Sequence, residues 1–170
     1  MAPAIAALVQ QALEELGASY EVIEIDPELA DTAAFCAHYG YAPDISANAI
    51  LVASKRPPGR HAVCVVLATT RLDVNRKVRD LLGVKKLSFA PADVTREVTG
   101  MLIGGVTPFG LPSDLAIYID RRLLDLDSVI VGGGDRSTKI IVDPEVFTRL
   151  PSATVTENLA NPVLAAGESA

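Results

Sequence analysis

Residues 98–112 read VTGMLIGGVTPFGLP, and the last nine of them hold three glycines and two prolines. A simple connector needs far fewer residues with special backbone properties. Glycine lets the main chain approach a ligand closely, and successive exposed N–H groups can bind an anion or a developing oxyanion. The segment therefore indicates a ligand-binding loop or a tight turn, and composition leaves both open.

A second glycine run, Gly132-Gly133-Gly134, follows a short apolar segment that is typical of a strand. A strand end without side chains leaves room for a ligand or for a neighbouring backbone. A tight turn is again the alternative.

Apolar periodicity and turn residues predict the elements around these two loops. Helices are predicted at residues 4–16, 32–39, 73–82, 91–98 and 143–150. Strands are predicted at residues 20–25, 49–53, 62–68, 86–89, 116–119, 129–131 and 139–142. Asp31 is a predicted N-cap, and Leu81 should face inward with Val74, Val78 and Leu82. This order favours an α+β fold with a mixed, mostly antiparallel sheet surrounded by helices.

The totals describe an ordinary globular chain. Its 170 residues are 49% hydrophobic and 21% charged, which suits one domain. No run of eighteen apolar residues exists and the N-terminus lacks a basic signal region, so no membrane association is expected. Cys36 and Cys64 form no CxxC pair, which suits the cytoplasm.

Positive charge is concentrated in one sector of an acidic protein. The net charge is −6, which argues against indiscriminate coating of nucleic acid or a DNA partner. Nine of the fifteen basic residues nevertheless lie between residues 55 and 86. They are Lys55, Arg56, Arg60, Arg71, Arg76, Lys77, Arg79, Lys85 and Lys86. Such a sector can hold one phosphate backbone locally, or it is a solvated helix face.

Common catalytic signatures are missing from the sequence. It contains no GxxxxGK[ST], HExxH or GxSxG motif. Cys36 and His38 are two apart on a predicted helix, so their side chains diverge. We therefore expect no metal and no cofactor.

Residues 5–159, nearly the whole chain, resemble the YbaK / prolyl-tRNA-synthetase-associated editing domain family, and five ordered blocks between residues 50 and 159 carry the resemblance. The blocks are ILVAS at 50–54, CVVLATTRLDVNRKVRDLLGVKKLSFA at 64–90, VTGMLIGGVTPFGLP at 98–112, LAIYIDRRLLDLDSVIVGGG at 115–134 and IIVDPEVFTRLPSATVTENL at 140–159. The resemblance implies one editing domain over residues 1–159, a barrel-like sheet and a flexible tail over residues 160–170.

The resemblance also implies an activity: stand-alone deacylation of mischarged tRNA, most often proline tRNA carrying a small wrong amino acid. Mischarged aminoacyl-tRNA is then the partner, and an aminoacyl-tRNA synthetase is an optional second one. An aminoacyl ester is already activated, so water needs mainly positioning and stabilisation of the oxyanion. Backbone N–H groups of a Gly-Gly loop could supply that stabilisation.

Site residues are implied by the same resemblance. The predicted catalytic residues are Gly104, Gly105 and Asn48. Substrate binding is assigned to Val106, Thr107, Pro108, Gly132, Gly133 and Gly134. Arg71, Arg76, Lys77 and Arg79 would face the tRNA acceptor stem.

Position 48 departs from the family pattern. Many relatives carry Lys-Thr where this chain has Asn48-Ala49, and often Ser where it has Gly132. Asparagine can donate a hydrogen bond but carries no charge. Asn48 then keeps a positioning role, or only forms a strand-entry hydrogen bond, or marks a site that has lost catalysis.

Two rival functions stay open: a non-catalytic tRNA- or aminoacyl-binding module, and a hydrolase of a small-molecule ester. Several residues have simpler structural interpretations as well. Thr107 would form local turn bonds, Asp135 and Arg136 a solvated hairpin tip, and Cys36 and His38 core packing rather than a pocket mouth.

Overall fold

The computed structural model describes residues 6–163. It contains four α-helices: α1 (Ala7–Glu15), α2 (Thr32–Tyr39), α3 (Arg79–Leu82) and α4 (Ala92–Thr99). Its strands are β1 (Tyr20–Glu24), β2 (Ala47–Arg56), β3 (Pro58–Leu67), β4 (Thr70–Leu72), β5 (Lys86–Phe89), β6 (Ala116–Asp120), β7 (Val129–Gly132), β8 (Thr138–Val142), β9 (Ala153–Thr156) and β10 (Ala160–Pro162). Short 3₁₀ turns lie at Pro27–Leu29, Pro43–Ile45, Arg121–Asp125 and Pro144–Arg149.

The strands form three sheets, with orders β5-β2-β3-β6-β9, β1-β8-β7 and β10-β4. Five strand pairs are antiparallel, and only β3-β6 and β6-β9 are parallel. This confirms the mixed, mostly antiparallel α+β fold. The barrel-like expectation is wrong, because β5 and β9 stay as unjoined edges of the large sheet. An isolated parallel bridge between Ser46, the residue before β2, and Ile130 links the large sheet to β7.

The β2–β3 hairpin buries both of its faces, because side chains alternate along a strand. On one face, Leu51, Val63 and Val65 belong to the main core. This core also holds Phe109, which stacks on Phe147 with ring centroids 6.1 Å apart. The loop that contains residues 104–110 is therefore anchored in the main core by its phenylalanine.

The opposite face of the hairpin is covered by residues 74–82, which include Arg76, Lys77 and Arg79 and are called the basic segment below. Val52, Cys64 and Val66 pack there with Val74 and Val78. Asn48 and its cross-strand partner Val66 follow the same alternation on this face. The basic segment and Asn48 thus share one side of the large sheet.

The helix predicted at residues 73–82 is only partly α-helical. Val74–Val78 is a π-helical turn that continues into α3. The extra residue of a π turn shifts the helical phase of the residues after it. Leu82 stays buried, but Leu81 is 38% exposed, so its predicted inward position is wrong.

Two predictions about the C-terminal part also need correction. The helix expected at residues 143–150 is the 3₁₀ turn Pro144–Arg149, which Asp143 caps by accepting from the Glu145 N–H at 3.0 Å. Ala160–Pro162, placed in the flexible tail, pairs with β4 instead, and the buried Asp120 carboxylate accepts from the Ala160 N–H at 3.1 Å. Residues 164–170 of that predicted tail lie outside the described residues, as do residues 1–5.

No helix among residues 6–163 is long and apolar enough to cross a membrane.

Candidate active site

A cavity of about 340 Å³ lies where the start of β2, the start of α2, the glycine loop and the β7–β8 hairpin meet. Its lining is Asp31, Thr32, Ala33, Ala47, Asn48, Ala49, Ile50, Ile103, Gly104, Val106, Gly132 and Lys139. The structure therefore brings together the separate sequence segments that held the predicted catalytic residues.

Asn48 is the second residue of β2. It lines the cavity and is half-buried. The Thr32 hydroxyl donates to Asn48 Oδ1. This contact leaves the Asn48 Nδ2 group as the free donor, since it bonds no acceptor among residues 6–163. Asn48 can therefore donate to a ligand oxygen in the cavity.

The two glycines of the loop have different backbone environments. The Gly105 N–H donates to the Leu102 carbonyl at 2.8 Å, and the Gly105 carbonyl accepts from the Gly134 N–H at 2.8 Å. The Gly104 N–H donates no hydrogen bond within the described part of the chain. Gly104 also has φ +92°, a conformation that favours glycine. The free donor of the pair is Gly104, whereas Gly105 is held within the protein.

The second glycine run packs directly against this loop. A Cβ atom on Gly132 would lie 2.5 Å from the Val106 carbonyl oxygen, and one on Gly105 would overlap the Asp135 backbone. These glycines are therefore required by the close approach of two main chains. Gly132 lines the cavity, but Gly133 and Gly134 do not, because they contact Thr138 and Val9 instead.

The remaining loop residues are divided between two sides. Val106 lines the cavity. Thr107 is fully buried, and its hydroxyl has no partner among residues 6–163, so the local turn bond expected for it is not formed. Pro108 lines a separate groove of about 510 Å³ between α1 and residues 149–152.

Lys139 is the cavity residue that sequence reasoning missed. It occupies the second position of β8, opposite Gly132 in register, and is only 5% exposed. Its Nζ donates to the Gly104 carbonyl at 3.1 Å and lies 5.4 Å from the centre of the Phe35 ring. A lysine within a buried strand is a signal that the sequence contained, since charged residues are rarely buried without a role.

Burial lowers the pKa of Lys139 to about 8. The largest cause of the lowered pKa is the removal of the ammonium from water, which disfavours the charged form. Asp31 and Cys36 oppose the shift, whereas the positive charge of Arg136 adds to it. Lys139 therefore carries a charge that is costly to bury and that changes near neutral pH.

Arg136 ties the glycine loop to the start of α2. Its guanidinium donates to the Ile103 carbonyl, to the Pro27 carbonyl at 3.0 Å, and to the Asp31 carboxylate at 3.2 Å. The expected solvated hairpin tip is therefore wrong for Arg136. The same contact explains why the Asp31 carboxylate makes no capping bond to α2.

Cys36 and His38 lie outside the cavity lining. Cys36 is buried with its Sγ 3.4 Å from the Ser46 hydroxyl, which agrees with core packing. His38 is exposed, so the core packing expected for it is wrong. Burial raises the pKa of the Cys64 thiol to about 12, so this cysteine remains a neutral core residue. No group of three potential metal ligands occurs among residues 6–163.

The predicted tRNA-binding residues lie on the surface around the basic segment. Arg71 and Arg76 are exposed, and Lys77 and Arg79 are partly exposed. Arg79 approaches the neighbouring Asp80 at 3.5 Å. Such an exposed pair is weak, so it leaves Arg79 available for a phosphate.

The mixed sheet thus carries a cavity lined by Gly104, Asn48 and the buried Lys139. The aminoacyl-tRNA editing domain family matches residues 26–150, and the chain belongs to this family. The resemblance found in the sequence is thereby confirmed.

Two curated relatives match parts of the chain. The uncharacterized protein YwhH of Bacillus subtilis (strain 168) is 35% identical over 102 residues, which cover 60% of this chain and 64% of that protein. A proline–tRNA ligase of Brachyspira hyodysenteriae is 30% identical over 79 residues, which cover 45% of this chain and 14% of the ligase. The chain therefore spans less than two thirds of the length of either relative.

Two solved structures share the fold. The hypothetical protein APE2540 has a TM-score of 0.79 at 23% identity, with 90% of this chain and 99% of that one covered. A candidate trans-editing enzyme for prolyl-tRNA synthetase has a TM-score of 0.75 at 24% identity, with 94% and 100% covered.

The buried charge of Lys139 predicts a pH-dependent stability difference. Lys139→Met should raise the free energy of unfolding at pH 7 by up to about 3 kcal/mol, because the variant buries no ammonium. Between pH 8 and the unfolded lysine pKa, the unfolded wild type binds more protons than the folded one. Wild-type stability therefore rises relative to the variant across this range, and the gain from the substitution shrinks.

Urea unfolding of both proteins from pH 6 to pH 10 measures this difference. The exposed Lys86, replaced in Lys86→Met, is the matched control and should show no such trend. A Lys139→Met protein that is less stable at pH 7, with a gap independent of pH, would show that the Lys139 ammonium is not penalised by burial.

Proposed function

We propose that this protein hydrolyses the ester of mischarged aminoacyl-tRNA as a stand-alone, trans-acting deacylase. The observation that carries the proposal is the cavity itself: in a chain of the editing-domain family, it gathers Asn48, Gly104 and Lys139 around one space. Proline tRNA carrying a small wrong amino acid is the proposed substrate, and the cytoplasm, where translation occurs, is the proposed location.

The size and lining of the cavity support a small aminoacyl group. A volume of about 340 Å³ is at the lower end for ligand pockets. Ala47, Ala49 and Val106 supply short apolar walls. Small apolar differences between amino acids are worth only a few kcal/mol in a single binding step, which is why synthetases need a second selection by size.

The proposed reaction needs no side-chain nucleophile. Water adds to the ester carbonyl carbon, and the carbonyl oxygen becomes an oxyanion that accepts hydrogen bonds from the Gly104 N–H and Asn48 Nδ2. The carbon–oxygen bond to the ribose then breaks, and the ribose oxygen takes up a proton. Free amino acid and intact tRNA are the products. Gly105, whose amide is bonded internally, contributes by fixing the position of Gly104.

Arg71, Arg76, Lys77 and Arg79 are the proposed contacts to the acceptor stem. The basic segment and Asn48 lie on the same side of the large sheet, so one bound RNA end could reach both. A prolyl-tRNA synthetase is a further proposed partner, since the ligase relative matches over part of its length.

Release of amino acid from a panel of charged tRNAs tests the function. Alanine, cysteine or serine should be released from proline tRNA, while correctly charged prolyl-tRNA should be spared. Asn48→Ala should lower kcat by about 100-fold, the usual loss of one oxyanion donor. Tight tRNA binding without release from any member would indicate the non-catalytic module instead.

Charge removal separates a tRNA substrate from a small-molecule ester. The triple variant Arg76→Ala, Lys77→Ala, Arg79→Ala should raise KM for charged tRNA and flatten the dependence of binding on salt, because fewer phosphate contacts release fewer counterions. Hydrolysis of a short aminoacyl-adenosine ester should change little. Equal activity of the variant and the wild type on charged tRNA would exclude this surface from tRNA binding. Arg96→Ala with Arg121→Ala, both exposed and outside the basic sector, is the matched control.

A further inference from the structure

The cavity contains a lysine although position 48 does not. The resemblance implies a lysine at position 48 on β2, where this chain has Asn48. Lys139 reaches the same cavity from β8, and it is the only basic side chain in the lining. The positive charge in the lining therefore comes from β8.

The Lys139 ammonium has hydrogen-bonding capacity that the protein does not use. An ammonium group has three donors, and only the Gly104 carbonyl accepts from Lys139 among residues 6–163. No carboxylate of the described chain lies within 4.0 Å of its Nζ, and Asp31 is bonded to Arg136 instead. Buried polar groups are normally bonded, so two unused donors beside a cavity point to a ligand oxygen.

The depth of Lys139 decides which part of the substrate it can reach. A side chain that is 5% exposed cannot contact phosphates that remain at the surface. The same Nζ bonds the carbonyl of Gly104, whose own N–H is free to donate. One acceptor oxygen of the substrate, placed beside Gly104, therefore best matches these two donors. At the reacting end of an aminoacyl ester, that acceptor is the carbonyl oxygen.

We propose that Lys139 is the cationic catalytic residue of this site: its ammonium donates to the carbonyl oxygen of the aminoacyl ester and stabilises the negative charge that develops there. This rests on the proposed deacylase function. It also implies that Lys139 supplies the charge at the ester carbonyl, whereas Asn48 supplies a neutral donor. The positive charge of the substrate's α-ammonium is repelled by Lys139, which orients that group away from β8.

The titratable and charged groups that face Lys139 influence the expected pH dependence. They are Asp31 at the start of α2, Cys36 within α2 and Arg136 on the β7–β8 hairpin. Because the pKa of Lys139 lies near 8, the proposed role predicts a fall in kcat as pH rises through that value. A neutral lysine acting as a base would give the opposite slope.

Three proteins test the role: wild type, Lys139→Met and Lys139→Arg, with Arg96→Met, at an exposed position outside the basic sector, as control. Lys139→Met should lose about 100-fold or more in kcat, as expected for one donor to the oxyanion, and should raise KM by a smaller factor of about tenfold, because the neutral ester oxygen accepts from the same ammonium. It should also bind 3′-alanylamido-3′-deoxyadenosine, a stable amide analogue, at least tenfold more weakly. Lys139→Arg should recover part of both, and uncharged tRNA should bind all proteins equally.

A double variant that exchanges Asn48 and Lys139 tests whether the cation can be supplied from β2 instead of β8. Lys139→Asn should be nearly inactive, and adding Asn48→Lys to it should restore at least tenfold, because the cation returns from β2. Hydrolysis by Lys139→Met at the wild-type rate would overturn the proposal, as would an equal loss of affinity for uncharged tRNA.

The outcome for Lys139 is separable from that for the deacylase. Lys139-dependent binding of the amide analogue, without any tRNA hydrolysis, would sustain the Lys139 contact and refute turnover. Hydrolysis that ignores Lys139 would refute the Lys139 role alone. A wild type that neither hydrolyses charged tRNA nor binds the analogue would refute both.

Discussion

The site depends on one backbone contact: the glycine loop lies directly against the end of β7 and the β7–β8 turn. The Gly134 N–H donates to the Gly105 carbonyl, and a Cβ atom at Gly132 would press on the Val106 carbonyl. Two main chains can approach this closely only without side chains between them. This contact brings β8 beside the loop, so that Lys139 can reach Gly104. Arg136 reinforces it from the outside by bonding the Ile103 carbonyl and Asp31.

The arrangement separates rigid support from free donors. Gly105 uses both of its polar backbone groups within the protein, whereas the Gly104 N–H and Asn48 Nδ2 are left without acceptors in the described part of the chain. Preorganised donors of this kind cost no reorganisation when charge develops in a transition state. Lys139 adds a charge whose burial costs stability, and such a cost is a common property of functional sites.

Much of this could be predicted from the sequence, and the misses have physical causes. The two glycine runs can be identified because their backbone properties are visible in the local sequence. Asn48 can be identified because it stands at a recognisable position of the family pattern. Lys139 was not identified, because a lysine at the start of the predicted strand 139–142 is compatible with an exposed strand end, and only the tertiary structure shows that α2 covers this face. The π turn at Val74–Val78 and the exposed Leu81 were missed because regular helical periodicity assumes α geometry throughout. The open sheet could not be predicted either, because whether the edge strands β5 and β9 pair depends on the tertiary structure and not on local sequence.

A crystal structure with 3′-alanylamido-3′-deoxyadenosine bound would test the central claim most directly. The account predicts that the amide carbonyl oxygen lies within hydrogen-bond distance of Lys139 Nζ and the Gly104 N–H, with the methyl group toward Ala49 and Val106. A carbonyl directed away from Lys139, or a ligand seated in the groove beside α1, would contradict it.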